Sequence, residues 1–494
     1  MKIAGLDIGT TGCKCTVFDE TGNCLDNAYR DYPVRRTVGG HEIDVSTMMD
    51  AVYEVIRELT GKYPDIAGLG VTSFGETFVM VDEEGRPLHT AMLYTDPRGE
   101  EECQELVDQL GSRHIADVTG LRPHQMYSIA KIMWIRKHLP DTYQKAKRIH
   151  LMGDYVVYHL TGKAQIDYSL ATRTMAFDIR SLTWSKEILD AAGVDVNLLS
   201  APVPTGTAVG CVTKRAAGKT GLSPDTQIVM ISHDQVAAAV GAGAFDGSVA
   251  VDGAGTVECL TPVYDELPDM DVMYDGYFSV VPYVIPGKYV AYAFSYTGGA
   301  LIQWAVDTIA KAEKAEAAQA GISVNAYLEQ QSASPTGLLV LPHFAGAATP
   351  YMDTGSKGAV LGLTTATTAA DIYRGCMEGV VYEMYLNRKK LTGSGIRFTR
   401  LNATGGGAHS GEWMQMKADM LNLPIMSLKT VDAGTVGSAM LTGIAVGLFK
   451  DLKEAAGHMV EETRMYEPRP EMHEKYVKIF ERYEKVYDAV RPLF

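Results

Sequence analysis

The stretch IAGLDIGTTGCKCTVFD, residues 3–19, contains two short apolar segments on either side of a turn rich in glycine and threonine. Residues 3–7 and 15–19 are predicted to form strands, and Gly9-Thr10-Thr11-Gly12 forms the predicted turn between them. Glycine lets the backbone N–H groups of such a turn approach a ligand closely, which suits a phosphate group. The segment therefore predicts a β-hairpin with a polar tip, and Asp7 ends its first strand.

The same pattern returns near the middle of the chain, in GSVAVDGAGTVECLT (residues 247–261). An apolar strand, an aspartate, a Gly-Thr turn and a second strand follow one another in the same order, about 245 positions after the first copy. Chance recurrence in a chain with 49 glycines is the alternative interpretation. A chain of 494 residues is too long to fold around one ordinary hydrophobic core. We therefore expect two α/β domains, residues 1–245 and 246–494, with a cleft between them.

The composition is that of a folded globular protein, with 46% apolar and 21% charged residues. The net charge of −15 at pH 7 opposes binding to nucleic acid or to an anionic membrane, since both need a clustered positive surface. No apolar stretch approaches the ~20 residues that span a bilayer. Seven scattered cysteines favour a reducing cytoplasm, and Cys13 and Cys15 are interpreted as buried thiols because no second pair completes a zinc site.

Three segments are candidates for binding a nucleoside triphosphate. The Gly9–Gly12 turn with Lys14, and the second turn around Gly255 and Thr256, could each hold part of the phosphate chain, although a single turn of this kind is usually only a hairpin. The run Gly405-Gly406-Gly407 precedes a predicted helix and is interpreted as a close contact with adenine. TKRAAGKT (residues 213–220) is excluded as a P-loop, because Thr213 stands where the first glycine is required.

Two aspartates are candidates for the chemistry of phosphoryl transfer. Asp234 follows the buried strand predicted at 227–231 and precedes a helix, where it could accept the proton of an attacking hydroxyl that Gln235 orients. The alternative is that Asp234 only caps this helix. Asp7 could hold a hydrated Mg²⁺, and a side-chain turn is its alternative role.

Two polar segments suit recognition of a polyol or sugar. They are Ser73-Phe74-Gly75-Glu76-Thr77 and Tyr94-Thr95-Asp96-Pro97-Arg98, which together supply carboxylate, hydroxyl, guanidinium and aromatic groups. The alternative for Asp96 and Arg98 is a surface ion pair beside a proline turn.

Hydrophobic periodicity gives further expectations of local structure. Residues 66–73 and 77–82 are predicted as a strand pair around Gly75, and 46–59 as a helix. Residues 125–160 are predicted as two helices broken at Pro140, and 453–494 as a helical segment.

Two longer segments resemble family signatures. MYSIAKIMWIRKH (126–138) and GAVLGLTTATTAADIYRGCME (358–378) are similar to the N- and C-terminal signatures of the FGGY carbohydrate kinases, which include glycerol kinase, xylulokinase and rhamnulokinase. The second departs only at Gly375, where a slightly larger small residue is usual. The resemblance covers nearly the whole chain and implies two actin-like, ribonuclease H-like α/β domains that close over ATP.

The resemblance also implies roles for individual residues. Asp234 would be the catalytic base, Thr10 and Lys14 contacts of the first phosphate loop, and Thr256 the contact of the second. The residues implied to line the ATP pocket are Gly299, Gln303, Gly406 and Ser410, although glycerol kinase has Asn at the position of Ser410.

The acceptor loop departs from the relatives. Xylulokinases usually carry Gln-Met-His-Gly and glycerol kinases Gln-Arg-Glu-Thr, whereas this chain has Ser73-Phe74-Gly75-Glu76-Thr77. Gly346–Pro350 also lacks the Glu-Arg that many relatives have before Thr-Pro. We expect a cytoplasmic kinase that uses Mg²⁺ and ATP on a ketose such as a pentulose, with a homodimer as a possible assembly. The alternatives are a glycerol, polyol or deoxyketohexose kinase, a non-catalytic sugar sensor, and an ATPase without a carbohydrate acceptor.

Overall fold

The computed structural model describes residues 1–429 and 432–494. The chain divides into two compact units. Unit 1 comprises Met1–Phe245, Ser279–Val290 and Asp432–Val460, and unit 2 comprises Asp246–Phe278, Ala291–Val431 and Glu461–Phe494. Unit 1 thus takes two segments from the second half of the sequence, whereas all of unit 2 lies after residue 245. The predicted domain boundary at 245/246, with the roles assigned to the two domains, stays a prediction.

The strands among the described residues are, in chain order, Lys2–Ile8 (β1), Gly12–Phe18 (β2), Cys24–Asp31 (β3), Val34–Thr37 (β4), Gly40–Ile43 (β5), Ile66–Ser73 (β6), Phe78–Val81 (β7), Ala91–Met92 (β8), Arg148–Leu151 (β9), Gln165–Asp167 (β10), Phe177–Asp178 (β11), Thr183–Trp184 (β12), Ala201–Val203 (β13), Thr207–Cys211 (β14), Gln227–His233 (β15), Val249–Ala254 (β16), Glu258–Tyr264 (β17), Val281–Pro282 (β18), Tyr289–Val290 (β19), Ala293–Ser295 (β20), Leu339–Leu341 (β21), Ala359–Leu361 (β22), Arg400–Thr404 (β23), Ile425–Leu428 (β24) and Glu462–Tyr466 (β25).

The α-helices over the same residues are Val45–Thr60 (α1), Glu100–Leu110 (α2), Ser112–Thr119 (α3), Ser128–His138 (α4), Pro140–Lys145 (α5), Met152–Thr161 (α6), Tyr168–Thr172 (α7), Lys186–Ala192 (α8), Lys214–Thr220 (α9), Asp234–Gly241 (α10), Met270–Asp275 (α11), Gly299–Trp304 (α12), Lys311–Ala320 (α13), Val324–Glu329 (α14), Ala369–Gly393 (α15), Gly411–Leu421 (α16), Ala433–Ala445 (α17), Leu452–Met459 (α18), Pro470–Tyr483 (α19) and Val486–Val490 (α20). No helix in this described part combines the length and the apolar character needed to cross a bilayer.

Unit 1 is built on a six-stranded sheet in the order β14-β15-β6-β1-β2-β3. The hairpin β1–β2 is antiparallel, and β1, β6 and β15 run parallel to one another. These strands are largely buried, which matches their apolar sequences. Their carboxyl ends lie at one edge of the sheet, so that edge collects the residues that follow each strand.

Unit 2 repeats this arrangement with the order β20-β17-β16-β23-β24-β25. The hairpin β16–β17 is antiparallel, β16, β23 and β24 are parallel, and the outer strand β25 is antiparallel to β24, as β14 is to β15 in unit 1. The repeat inferred from the sequence therefore corresponds to a shared sheet topology.

Helices α10 and α17 pack closely within unit 1 because both are rich in small residues. A Cβ atom placed on Gly241 would lie 1.9 Å from the carbonyl oxygen of Ala433, and one on Gly437 would lie 1.9 Å from that of Ala237. Only glycine permits such a close approach of the two backbones.

Several predicted elements differ from the observed ones. Strands β6 and β7 occur as predicted but do not pair with each other, because β6 lies between β1 and β15 while β7 pairs with β9. The region 125–160 contains β9 between its helices, and Pro140 begins α5 rather than only ending α4. The C-terminal region contains β25 between α18 and α19, so the prediction of an all-helical segment was wrong there.

Candidate active site

The edge of the unit 1 sheet carries Asp234 at the point where β15 ends and α10 begins. Pairing of His233 with Ser73 places Asp234 beside the loop that follows β6. The Asp234 side chain is 30% exposed, and its Oδ1 lies 3.3 Å from Nε2 of His233. The carboxylate is thus partly open to solvent at the end of a parallel strand.

Burial and the nearby carboxylate of Glu76 raise the pKa of Asp234 to about 7, while the amides of Gln235 and the Arg173 guanidinium oppose this rise. Burial lowers the pKa of His233 well below its usual range, so this imidazole is neutral at pH 7. A carboxylate with a pKa near neutrality can both accept a proton and release it again, which suits a general base.

Asp7 lies at the end of β1 with its side chain at the same edge. Its Oδ1 is buried and accepts no hydrogen bond from the described residues. Burial, followed by the charges of Asp234 and Asp432, raises the pKa of Asp7 well above its usual range, and Lys14 opposes this. A cation would relieve this excess of negative charge.

These residues fit a hydrated Mg²⁺, which proteins commonly hold through one or two carboxylates with phosphate oxygens and water. Across the described chain, no three His, Cys, Asp or Glu side chains form a group that could hold a metal by themselves. Asp7 would therefore hold such an ion only together with waters and a bound phosphate.

The first loop is held in shape by Tyr32. The Gly9 N–H donates to the Gly12 carbonyl at 2.9 Å, and the Tyr32 hydroxyl donates to the carbonyls of Gly12, at 3.2 Å, and Gly9. Thr10 is partly exposed and Thr11 exposed, so both can reach a ligand. Lys14 forms an ion pair with Asp432 at 2.6 Å, which places its charge beside the loop.

The loop after β6 contains the predicted acceptor residues. The Phe74 N–H donates to the carbonyl of Ile8 at 2.9 Å, which ties this loop to the end of β1. Glu76 is 5% exposed and has a left-handed φ of 62°. The Thr77 side chain is buried, and among the described residues its hydroxyl has no hydrogen-bond partner.

Asp96 and Arg98 form a partly buried network, in which the Asp96 side chain is fully buried, instead of a surface ion pair. Both Asp96 oxygens accept hydrogen bonds, from the backbone N–H of His41 at 2.7 Å and from Arg98 at 2.6 to 3.0 Å. Arg98 also pairs with Glu42 at 2.6 Å. Tyr94 is 38% exposed, and Glu76 and Asp234 contribute to its raised pKa, although burial is the main cause. Tyr94 is thus the more accessible member of this segment.

The second Gly-Thr turn lies at the tip of β16–β17 in unit 2. The N–H groups of Gly299 and Ala300 donate to the carbonyls of Gly255 and Thr256, at 2.9 and 3.1 Å. Gly405 has a left-handed φ of 89°, and a Cβ atom there would lie 2.6 Å from the carbonyl oxygen of Ala254. The turn, the start of α12 and the 405–407 segment therefore form one packed structure.

A cavity of about 440 Å³ lies within unit 2 beside this structure. Five of the residues predicted to contact the nucleotide line it, and these are Gly299, Gln303, Gly406, Gly407 and Ser410. Ser410 caps α16 through the N–H of Trp413 and donates to Glu329 at 3.3 Å. The cavity has the size of a small-molecule site, and adenine binding in it stays a prediction.

Asp252, the aspartate of the second repeat, has a different environment from Asp7. Lys417 lies 2.7 Å from Asp252 and also contacts Glu258, and all three side chains are buried. Burial, followed by the charge of Asp252, raises the pKa of Glu258 well above its usual range. Asp252 therefore already has a buried cation, which Lys417 supplies.

The sequence did not single out Tyr32 or Arg173, and it indicated Lys131 only as a central residue of the 126–138 signature, without a role. Lys131 is fully buried, and burial lowers its pKa to about 8. It lies in the 126–138 signature, which was the available signal, whereas Arg173 and Tyr32 lie in segments without a motif.

Comparison with known families gives two matches that together cover most of the chain. Residues 2–241 match the N-terminal domain, and residues 254–446 the C-terminal domain, of the FGGY family of carbohydrate kinases.

Individual relatives are distant but extend over nearly the full length. A xylulose kinase from Staphylococcus epidermidis is 27% identical, covering 99% of this chain and 97% of the relative. A glycerol kinase from Enterococcus faecalis is 29% identical, covering 94% and 93%. The crystal structure of a gluconate kinase from Lactobacillus acidophilus superposes with a TM-score of 0.90 at 24% identity, covering 99% and 98%, which shows a common fold.

Proposed function

The chain belongs to the FGGY family of carbohydrate kinases, and on this basis we propose that it phosphorylates a hydroxyl of a ketose such as a pentulose. It is an ATP-dependent carbohydrate kinase by family membership. The observation that carries the catalytic proposal is the position of Asp234, which directly follows β15 beside the acceptor loop and has a pKa of about 7.

In the proposed reaction, Asp234 accepts the proton of the acceptor hydroxyl as its oxygen attacks the γ-phosphorus of ATP. A bond forms between this oxygen and phosphorus, the bond from phosphorus to the β–γ bridging oxygen breaks, and ADP leaves. Gln235, directly after the base, orients the hydroxyl. Mg²⁺ held at Asp7 would supply neutralising charge on the phosphate oxygens.

The nucleotide is assigned to the Gly-Thr turns and to the cavity in unit 2. In unit 1, Thr10, Thr11 and Lys14 would contact phosphate oxygens through the exposed side of the loop. In unit 2, Thr256 would contact phosphate, and the cavity beside Gly406 and Ser410 would take adenine. That these loops hold one nucleotide stays a prediction.

The acceptor assignment depends on the loop 74–77 and on Tyr94. The xylulose kinases among the relatives support a pentulose, while the Glu76-Thr77 pair favours glycerol or another polyol. A deoxyketohexose and a sugar acid such as gluconate are further candidates, the latter because of the fold relative named above. A cytoplasmic location and a homodimer remain predictions of the same proposal.

A coupled assay of ADP release tests the proposal directly. The purified chain is supplied with Mg²⁺ and ATP, and D-xylulose, glycerol, L-rhamnulose and gluconate are compared with a blank that has no acceptor. D-xylulose should raise ADP release above the blank and give the highest kcat/KM. A higher kcat/KM for another acceptor would replace the pentulose assignment, and no response to any carbohydrate would favour the sensor or ATPase alternatives.

A further inference from the structure

Arg173 follows α7 directly and is only 5% exposed. Arginine is seldom buried to this degree unless it is paired. Its Nε donates to Oε1 of Glu76 at 2.7 Å, and its Nη2 contacts the same oxygen. Two donors of one planar group therefore converge on a single oxygen of the predicted acceptor-binding carboxylate.

The guanidinium of Arg173 is fixed by other parts of unit 1 as well. It lies over the ring of Tyr127, 5.2 Å from the ring centre, and its Nη1 is 3.4 Å from Oγ of Ser279. These contacts leave little freedom for the guanidinium plane, so Glu76 is held by a rigid partner.

The backbone around Glu76 is shaped to the stem of Arg173. A Cβ atom on Gly75 would lie 2.7 Å from Cγ of Arg173, so glycine gives the arginine its room. Ser128 donates to the carbonyl oxygen of Glu76 at 2.6 Å, and Glu76 keeps a left-handed φ of 62°. The loop conformation and the position of the arginine therefore depend on each other.

The second carboxylate oxygen of Glu76 remains available to a ligand. Among the residues that the structure describes, no hydrogen bond reaches Oε2 of Glu76, and the loop lies beside Asp234. A carboxylate oxygen without another donor is a strong acceptor for a hydroxyl group. Without the guanidinium, the broad terminal torsion of glutamate would let this oxygen turn away.

We propose that Arg173 is a positioning residue of the acceptor site, which holds Glu76 so that its Oε2 accepts a hydrogen bond from a hydroxyl of the carbohydrate. This role rests on the proposed kinase function, and it identifies the residue that orients the acceptor-binding carboxylate. In this role Arg173 acts on the acceptor through Glu76, and its charge also opposes the rise in the pKa of Asp234.

The test measures KM for D-xylulose, glycerol and ATP in the full chain and in four variants. These are Arg173→Met, which keeps the aliphatic stem, Arg173→Lys, Glu76→Gln, and the double variant Arg173→Met with Glu76→Gln. Thermal unfolding of each variant identifies those that fail to fold.

We expect Arg173→Met to raise KM for the acceptor by ~10-fold or more while KM for ATP stays within about twofold. Arg173→Lys should give an intermediate acceptor KM, because a single ammonium keeps the charge but not the paired donors. Glu76→Gln should raise the acceptor KM by a smaller factor in the Arg173→Met background than in the wild type, because the two residues act as one unit.

An unchanged acceptor KM, an equal rise in KM for ATP, or additive effects in the double variant would overturn the role of Arg173. If Arg173→Met does not fold, Arg173→Lys decides the question: an acceptor KM raised by about threefold or more supports the role, and an unchanged one refutes it. A wild-type chain with no acceptor-dependent turnover would overturn the kinase function together with this inference, whereas an active wild type with insensitive variants would overturn only the inference.

Discussion

The rate of acceptor phosphorylation should fall steeply as the pH is lowered below 7, and Glu76→Gln should move this fall to lower pH. Asp234 must be ionised to accept a proton, and its pKa is about 7. Asp234 is therefore ionised in about half of the molecules at pH 7 and in about one tenth at pH 6. Below pH 6, kcat/KM should drop about tenfold for each further decrease of one pH unit. After burial, the charge of Glu76 is the largest cause of the raised pKa.

Removing that charge while keeping the shape of the side chain should lower the pKa of Asp234. Each unit of decrease corresponds to about 1.4 kcal/mol of charge interaction and would raise the ionised fraction at pH 6 from about one tenth to about one half. The assay is kcat/KM by ADP release between about pH 5.5 and about pH 9 at constant ionic strength. The curve of each enzyme is scaled to its own plateau, so that weaker binding by the variant does not affect the comparison.

Glu101→Gln, at an exposed glutamate of α2, is the matched control and should keep the wild-type curve. A flat profile in the wild type would mean that Asp234 does not limit the rate as a base. A fall that moves to higher pH in Glu76→Gln would refute the assigned electrostatic effect.

Three further variants test the remaining assignments. Asp234→Asn should lower turnover by ~10² or more while leaving the dissociation constant for ATP within about twofold, and unchanged turnover would remove Asp234 from its role. Gly406→Val should raise KM for ATP but not for the acceptor, because a Cβ there meets no atom within 4 Å and its side chain would occupy the cavity. Gly457→Ala, at a glycine with similar room, is its control, and equal KM values for ATP in both variants would contradict nucleotide binding in the cavity. Lys417→Met should destabilise the chain by about 3–5 kcal/mol in urea unfolding, because Asp252 loses its buried cation. Lys429→Met, at an exposed ion pair, should cost less than about 1 kcal/mol, and an equally small loss for Lys417→Met would contradict the buried charge cluster.

Strands and turns whose formation depends only on residues adjacent in the sequence could be predicted from the sequence. Strands β1, β2, β6 and β15 lie close to the predicted segments, because runs of apolar residues bounded by glycine turns are a local signal. The pairing of the strands was harder to predict from the sequence. A strand pattern does not identify the partner of the strand, which is why β6 and β7 were wrongly predicted to pair. The short strands β9 and β25 each lie between two helices, and both were predicted as part of a helical segment.

The sequence alone determined the repeated hairpin, the family resemblance and the placement of Asp7 and Asp234 at strand ends. The tertiary structure decided which charged groups and hydrogen-bond donors surround those residues. Asp7 and Asp252 occur in similar sequence patterns, yet Asp252 is neutralised by Lys417, 165 positions away, while Asp7 keeps a buried oxygen without a donor among the described residues. Glu76 likewise meets Arg173 across 97 positions. Backbone conformation follows from local steric and hydrogen-bonding preferences, whereas the charge state of a buried carboxylate depends on groups that only folding brings within a few ångströms.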